Sequence, residues 1–294
     1  MRRSAVQEPS RAAIERRREA GYLRERRRGR SRKPSPLWRV RDDLPRRITW
    51  PLIGLSVALP LLIWMALYAS GTVSRIFLPS PLAVADAAVD LARSGDLAAD
   101  TWASVRRIAI GFGIAVAISV PLGLAMGAYR SVQSLFEPAI ALVRYMPATA
   151  FVPLLLIWLG LGESPKIALI VIGTVFFNTL MTANVVWQVP MELIKVSYTL
   201  GASSFTVFRK VIFPYAIPGM IDAARVNLAA AWNLIVVAEL LAASEGLGFR
   251  ITRAQRFLNI DQIFVVLAVI GLLGLASDLG LRMLRNRIAP WSQE

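Results

Sequence analysis

The 294-residue chain contains neither cysteine nor histidine. That removes disulfides, thiolate nucleophiles, imidazole acid–base catalysis and the common zinc ligand sets together. A Gly-x4-Gly-Lys-Ser/Thr run is also missing, so no loop is recognisable as one that cradles the phosphates of ATP. Acidic residues are few, 19 against 34 Lys+Arg, but the imbalance is local. Residues 1–47 alone hold 17 Lys+Arg and 6 Asp+Glu, which is +11 of the formal +15. A nucleic-acid-binding fold would spread such charge over its surface; here it belongs to a tail, and no nucleic acid is expected as a partner.

What the chain has in quantity is apolar sequence: 55% of residues are hydrophobic and the mean hydropathy is +0.52. Six runs stand out, at about 50–69, 108–128, 139–161, 167–187, 221–243 and 262–284. Each is close to the roughly 20 residues that cross a hydrocarbon core of about 30 Å as helix. The expected fold class is therefore an all-α membrane protein of six transmembrane helices, with residues 1–47 a basic cytoplasmic tail, disordered in water, and 48–294 the transmembrane domain. The third run carries Arg144, Pro147 and Pro153, so it is expected to be buried in the bundle, with Arg144 near the tail-side end of its span and snorkelling there. An even number of spans puts both termini on one side. Counting Lys+Arg gives 25 on the tail side against 8 opposite, which makes that side cytoplasmic and sets the tail against anionic lipid head groups.

A long polar-edged insert lies between the fourth and fifth spans, Val189 to Gly219, VPMELIKVSYTLGASSFTVFRKVIFPYAIPG. Pro190 can begin a short helix in which Met191, Ile194 and Tyr198 recur at helical spacing, and Gly201 ends it. Ser203 or Ser204 can cap a second, with Phe205, Phe208 and Ile212 on one face and Arg209 and Lys210 elsewhere, until Pro214 interrupts it.

This loop resembles that of the membrane permeases of ATP-binding-cassette importers. The family pattern is Glu-Ala-Ala, three residues, Gly, nine residues, Ile, one residue, Leu-Pro; Gly201, Val211, Phe213 and Pro214 fall in register. Lys195, Val196 and Ser197 stand where the family has Glu-Ala-Ala, reversing the charge at the head of the loop. TLGAS (199–203), FPYAIPG (213–219), PLLLIWLGLGESPK (153–166) and EGLGF (245–249) are similar to the nitrate, sulfonate, taurine and bicarbonate branch. The resemblance implies a permease subunit in a bacterial plasma membrane, itself without cofactor, catalytic residue or metal. It further implies a second permease copy as homodimer partner, two ATPase subunits that bind ATP and Mg, and an external solute-binding protein. It assigns Lys195, Gly201, Ala202, Ser203, Phe205, Phe208, Arg209 and Pro214 to ATPase coupling. Without it, the loop reads as an amphipathic connector on the membrane surface.

Polar groups inside spans are costly and mark function or helix pairing. Asn178, Asn184, Asn233 and Glu239 are the pathway candidates, with interhelical hydrogen bonds the competing use for the asparagines. Asp278 precedes Arg282 by four residues, a favourable helical pair. Gly123 and Gly127 form a GxxxG that permits close helix approach within the subunit or between copies. Arg250, Arg253 and Arg256 lie on the outer side, where the positive-inside rule expects few such residues. They are a candidate external rim for a binding protein or anionic solute, or anchors to head groups, or partners of Glu245 or Asp261. An ion-coupled secondary transporter or channel is the alternative function, disfavoured because Glu239 and Asp278 lie toward span ends. An intramembrane enzyme lacks its usual residues.

Overall fold

The computed structural model describes residues 44–292, so the tail expectation, apart from its last four residues, lies outside the described residues. Among the described residues the regular elements are helices throughout: α1 (Arg46–Ser70), α2 (Pro81–Arg93), α3 (Asp96–Ala128), α4 (Arg130–Val143), α5 (Val152–Leu159), α6 (Glu163–Trp187), α7 (Met191–Thr199), α8 (Ser204–Val207), α9 (Phe213–Ala242), α10 (Leu247–Arg256) and α11 (Ile260–Ile288). Short 3-10 turns at Ala148–Phe151 and Pro290–Ser292 and a π turn at Phe208–Ile212 complete them. Five stretches are long and apolar enough to cross a membrane, and the α4–α5 pair makes a sixth if counted as one span.

Helix α1 belongs largely to a unit of its own. It buries no residue and exposes Trp50, Leu55, Val57, Leu62 and Met65 around its circumference. A helix apolar on all sides is at home in lipid.

The second unit is built on α3 and α6, its widest helix contact. On α3 the buried positions run Asp100, Ala103, Ser104, Arg107, Ile108, Gly111, Phe112, Ala115, Ser119 and Gly123, a single helical stripe. The two helices run parallel: Gly111 sits against Ile170, Gly123 against Thr179 and Thr182, and Gly127 against Ala183 and Val186. A Cβ on Gly123 would lie 2.5 Å from the Thr179 carbonyl oxygen, and one on Gly127 2.5 Å from Val186 Cβ. The GxxxG pair is therefore spent on packing within the chain. Helix α9 lies antiparallel to both, with Gly219 on Val185 near one end and Leu234 filling the notch at Gly173 near the middle.

Parallel neighbours in sequence order require a return crossing between them. Here the chain returns along the bundle through α4, the 3-10 turn and α5, which are bent by 80°. The expected third span, 139–161, is thus two helical pieces with a sharp bend between them. Pro147 cannot donate to a helix ladder, and Pro153 sits at the start of α5. Ala148, next to the break, packs at Gly173, the eleventh of the 25 residues of α6. The bend, and Arg144 with it, therefore lies about halfway through the bundle, and the expectation of a snorkelling end position for Arg144 is corrected.

Two further differences have local causes. Helix α3 begins twelve residues before the apolar run at 108, because Asp96, Asp100 and Arg107 lower the hydropathy of a stretch that is still helical. Pro214 does not interrupt the second loop helix: the π turn lets α8 run on into α9 as a continuous 37-residue helix, with Pro214 in the first turn of α9.

Gly123→Val is expected to lower the thermal unfolding midpoint in detergent, read by tryptophan fluorescence, with an overpacking cost of about 1–3 kcal/mol. Gly113→Val on the same helix, where a Cβ meets nothing within 4 Å, should leave it unchanged.

Candidate functional site

Three regions of the second unit carry candidate chemistry. The first is the 189–219 loop. Pro190 precedes α7, and the helix ends where Gly201 adopts φ +81° while its amide and that of Ala202 reach back to Tyr198 and Ser197. Ser203 then caps α8, accepting from the Thr206 amide at 3.3 Å. The base of this element is apolar and packed: Val207, Ile212 and Ala216 are buried with Leu124, Val186 and Val189 from the ends of α3 and α6, and Ile194, Ala202 and Phe208 lean on them. Phe208 also stacks on Tyr129 at 6.2 Å between centroids. Its other face is open. Lys195, Gly201, Ser203 and Arg209 are exposed, Pro214 is half-buried, and Leu200 (81%) and Phe205 (67%) present apolar surface. The expectation that Phe205, Phe208 and Ile212 share a face is corrected, since Phe205 points outward while Ile212 is buried; the π turn widens the spacing after Phe208.

At the other end of α3 and α6 lies a buried ion cluster. Arg107, wholly inaccessible, donates from Nε and Nη2 to both oxygens of Glu163 (2.6 and 2.8 Å), and from Nη1 to Glu239 Oε1 (2.7 Å) and the Glu245 carbonyl (2.8 Å). Glu239 accepts in addition from Ser104 Oγ (2.8 and 2.9 Å) and the Gly248 amide (2.8 Å). Lys166 adds a bond to Glu163 at 3.0 Å. The turn between α9 and α10 is held by the same helix face: the Gly246 amide donates to Asp100 Oδ1 and the Leu247 amide to Ser104 Oγ. Gly246, at φ +118°, would place a Cβ 2.5 Å from Glu239 Cδ, so the EGLGF turn closes on the carboxylate only without a side chain there.

Arg250 is part of this clamp. It is buried and donates to Asp100 Oδ2 (2.6 Å) and Asp96 Oδ2 (2.9 Å). Burial acts to lower its pKa, but the hydrogen bonds to Asp100 and Asp96 outweigh it and hold the guanidinium above its ordinary range. The three-arginine rim is corrected accordingly: Arg253 and Arg256 are exposed, Arg250 is not, and its acids are neither Glu245 nor Asp261.

The asparagines divide. Asn178 is buried, donates to Ser119 Oγ (2.6 Å) and accepts from Asn227 Nδ2 (3.3 Å), a clasp joining α3, α6 and α9. Asn233 is exposed and donates to the Ala229 carbonyl of its own helix, and Asn184 is exposed near the end of α6. Asp278 pairs across helices with Arg225, which grips both its oxygens at 2.8 Å, rather than with Arg282. Sequence reasoning passed over Asp100, Ser104, Arg107 and Glu163, although Asp96, Asp100, Ser104 and Arg107 recur at one-face helical spacing.

The fold and the site together define a helical bundle of membrane-spanning length, with an anchored, outward-facing loop at one end and an ion-paired clamp at the other. The chain belongs to the binding-protein-dependent transport system inner membrane components, whose family model matches residues 109–290. It is 38% identical over 239 residues to a probable ABC transporter permease protein of Brucella abortus (strain 2308), covering 81% of this chain and 94% of that one. It is 36% identical over 257 residues to the taurine transport system permease protein of Escherichia coli (strain K12), covering 83% and 93%. Its fold is similar to that in an inward-facing structure of the MetNI methionine ABC transporter, with a TM-score of 0.56 at 20% identity over 64% of this chain and 93% of that chain. The protein is thus a permease, the membrane-spanning subunit of an ATP-binding-cassette importer.

Removing one partner from a buried pair strands the other charge. Arg107→Met is therefore expected to destabilise the protein by about 3–5 kcal/mol, seen as a large fall in the detergent unfolding midpoint. Asp278→Asn, at a half-exposed pair, should move the midpoint far less.

Proposed function

We propose that the chain crosses the membrane six times, with α4 and α5 forming one crossing, and that both termini and the 189–219 loop between the fourth and fifth crossings face the cytoplasm. The 25-to-8 division of Lys+Arg supports this orientation. Two such chains pair as a homodimer, two separate ATPase subunits seat on the loops, and an external binding protein delivers the solute. The basic tail, 1–47, rests on anionic head groups.

The observation that carries the coupling role is the two-sided build of α7 and α8. One side is locked into the ends of α3, α6 and α9, so a push on it reaches the spans; the other offers Leu200, Phe205 and Arg209 to a partner groove. Gly201 fixes the angle between the two short helices. The head of the loop carries Lys195 with Glu192 three residues earlier, so the facing ATPase surface is expected to be acidic or neutral there. The solute is a small oxoanion, in keeping with the taurine permease among the relatives. Arg253 and Arg256 form the outer rim at which it or its binding protein arrives.

In proteoliposomes holding the complete complex, Gly201→Pro should leave the permease in the membrane but abolish solute-stimulated ATP hydrolysis, because proline cannot adopt the left-handed φ of this position. Normal stimulation would remove the loop from the mechanism. The double variant Arg253→Ala/Arg256→Ala should slow uptake at low ionic strength and matter less at high ionic strength, as screening predicts. Uptake equal to wild type at low salt would make these two residues anchors.

A further inference from the structure

The break between α4 and α5, level with the middle of α6, holds a cation that no other described residue neutralises. Arg107, Arg225 and Arg250 each grip carboxylates. Arg144 forms no ion pair among the described residues. One of its terminal nitrogens donates to the hydroxyl of its neighbour Tyr145 at 3.0 Å, the guanidinium carbon stands 4.8 Å over that ring, and Nε is buried without any partner. A guanidinium at this depth is costly and is retained where it faces the bundle interior, a counter-charge or water.

The backbone around it is open in the same way. The carbonyls of Arg144, Tyr145 and Met146 and the amides of Ala148 and Thr149 find no backbone partner among the described residues. Such irregular backbone is tolerated at membrane depth only where protein covers it or a water-filled cavity meets it. Tyr145 and Met146 are exposed, so the described residues of the second unit do not supply the cover. Asn233, adjacent to the Leu234 that fills the Gly173 notch beside Ala148, is exposed at the same level.

We propose that Arg144 is the anion-recognising group of the permeation path, receiving the oxoanion end of the solute halfway across the membrane. A planar, permanently charged fork matches two oxygens of a sulfonate or nitrate at once, which an ammonium does not. Tyr145 covers the guanidinium face between passages. The assignment rests on the reading of the chain as an oxoanion permease.

The test uses the complete complex in proteoliposomes, with ethanesulfonate and nitrate as solutes. Losing a two-point charged contact should cut uptake by about 10-fold or more in Arg144→Gln, with Arg144→Lys between it and wild type. Co-purification of the ATPase and an unshifted unfolding midpoint establish that the variants are folded. Because the chain has no cysteine, Arg144→Cys places a single thiol in it. That thiol should react with water-soluble methanethiosulfonates and be protected by excess anion. The aminoethyl reagent, which restores a positive charge, should recover uptake, and the sulfonatoethyl reagent should not. A thiol that does not react, equal recovery by both reagents, or wild-type uptake by Arg144→Gln overturns this inference alone. Failure of the wild-type complex to take up either anion overturns the solute class and the inference with it.

Discussion

Helices α3 and α6 run side by side in the same direction, close enough that Gly111, Gly123 and Gly127 have no room for a side chain. In lipid, where burying apolar surface gives helices little reason to associate, such close approach is what packing has to work with. The rest of the second unit follows from this contact. Parallel neighbours demand a crossing between them, which becomes the broken α4–α5 pair. The shared direction also brings the polar start of α3 beside Glu163 at the start of α6, and the apolar ends of both beside the loop that follows.

The two ends of the pair consequently hold their attachments by opposite chemistry. At one, a loop is seated by Val189, Val207, Ile212 and Ala216, a dispersion contact that slides and tilts with its helices. At the other, the α9–α10 turn is tied by directed bonds to Asp100, Ser104 and Glu239, and Arg107 of α3 binds two further helices and the turn through one guanidinium. A buried cluster of this kind adds little net stability over an apolar one of the same shape, but it admits one arrangement only. The glycines of EGLGF are the space that this arrangement needs.

Much of this was legible in the residues. Apolar runs near 20 residues marked the spans, and Pro190, Gly201 and Ser203 marked the two loop helices by the conformations they favour. What escaped did so for physical reasons. A hydropathy window loses α3 at Ile108, because Asp96, Asp100 and Arg107 look like loop until their partners on α6, α9 and α10 are in place. A window over 139–161 treats a helix and a sharply turned one as a single rod, and so misplaces Arg144 in depth. Arg250 read as surface because its acids lie some 150 residues away in sequence. For Asp278, the local partner Arg282 was chosen over the distant Arg225, since spacing alone offers only neighbours. Pro214 read as a stop because a π turn cannot be seen in a pattern tuned to 3.6 residues.

That π turn makes one bar of two expected pieces. The helix from Ser204 to Leu240 has 37 residues, about 55 Å at 1.5 Å each. It is seated tightly where Gly219 meets Val185, about 23 Å from its start and about 30 Å from Glu239. About that seat the helix has arms of unequal length. A tilt of about 5° moves the α8 tip by about 2 Å and the Glu239 end by nearly 3 Å, enough at that end to exceed the reach of a hydrogen bond.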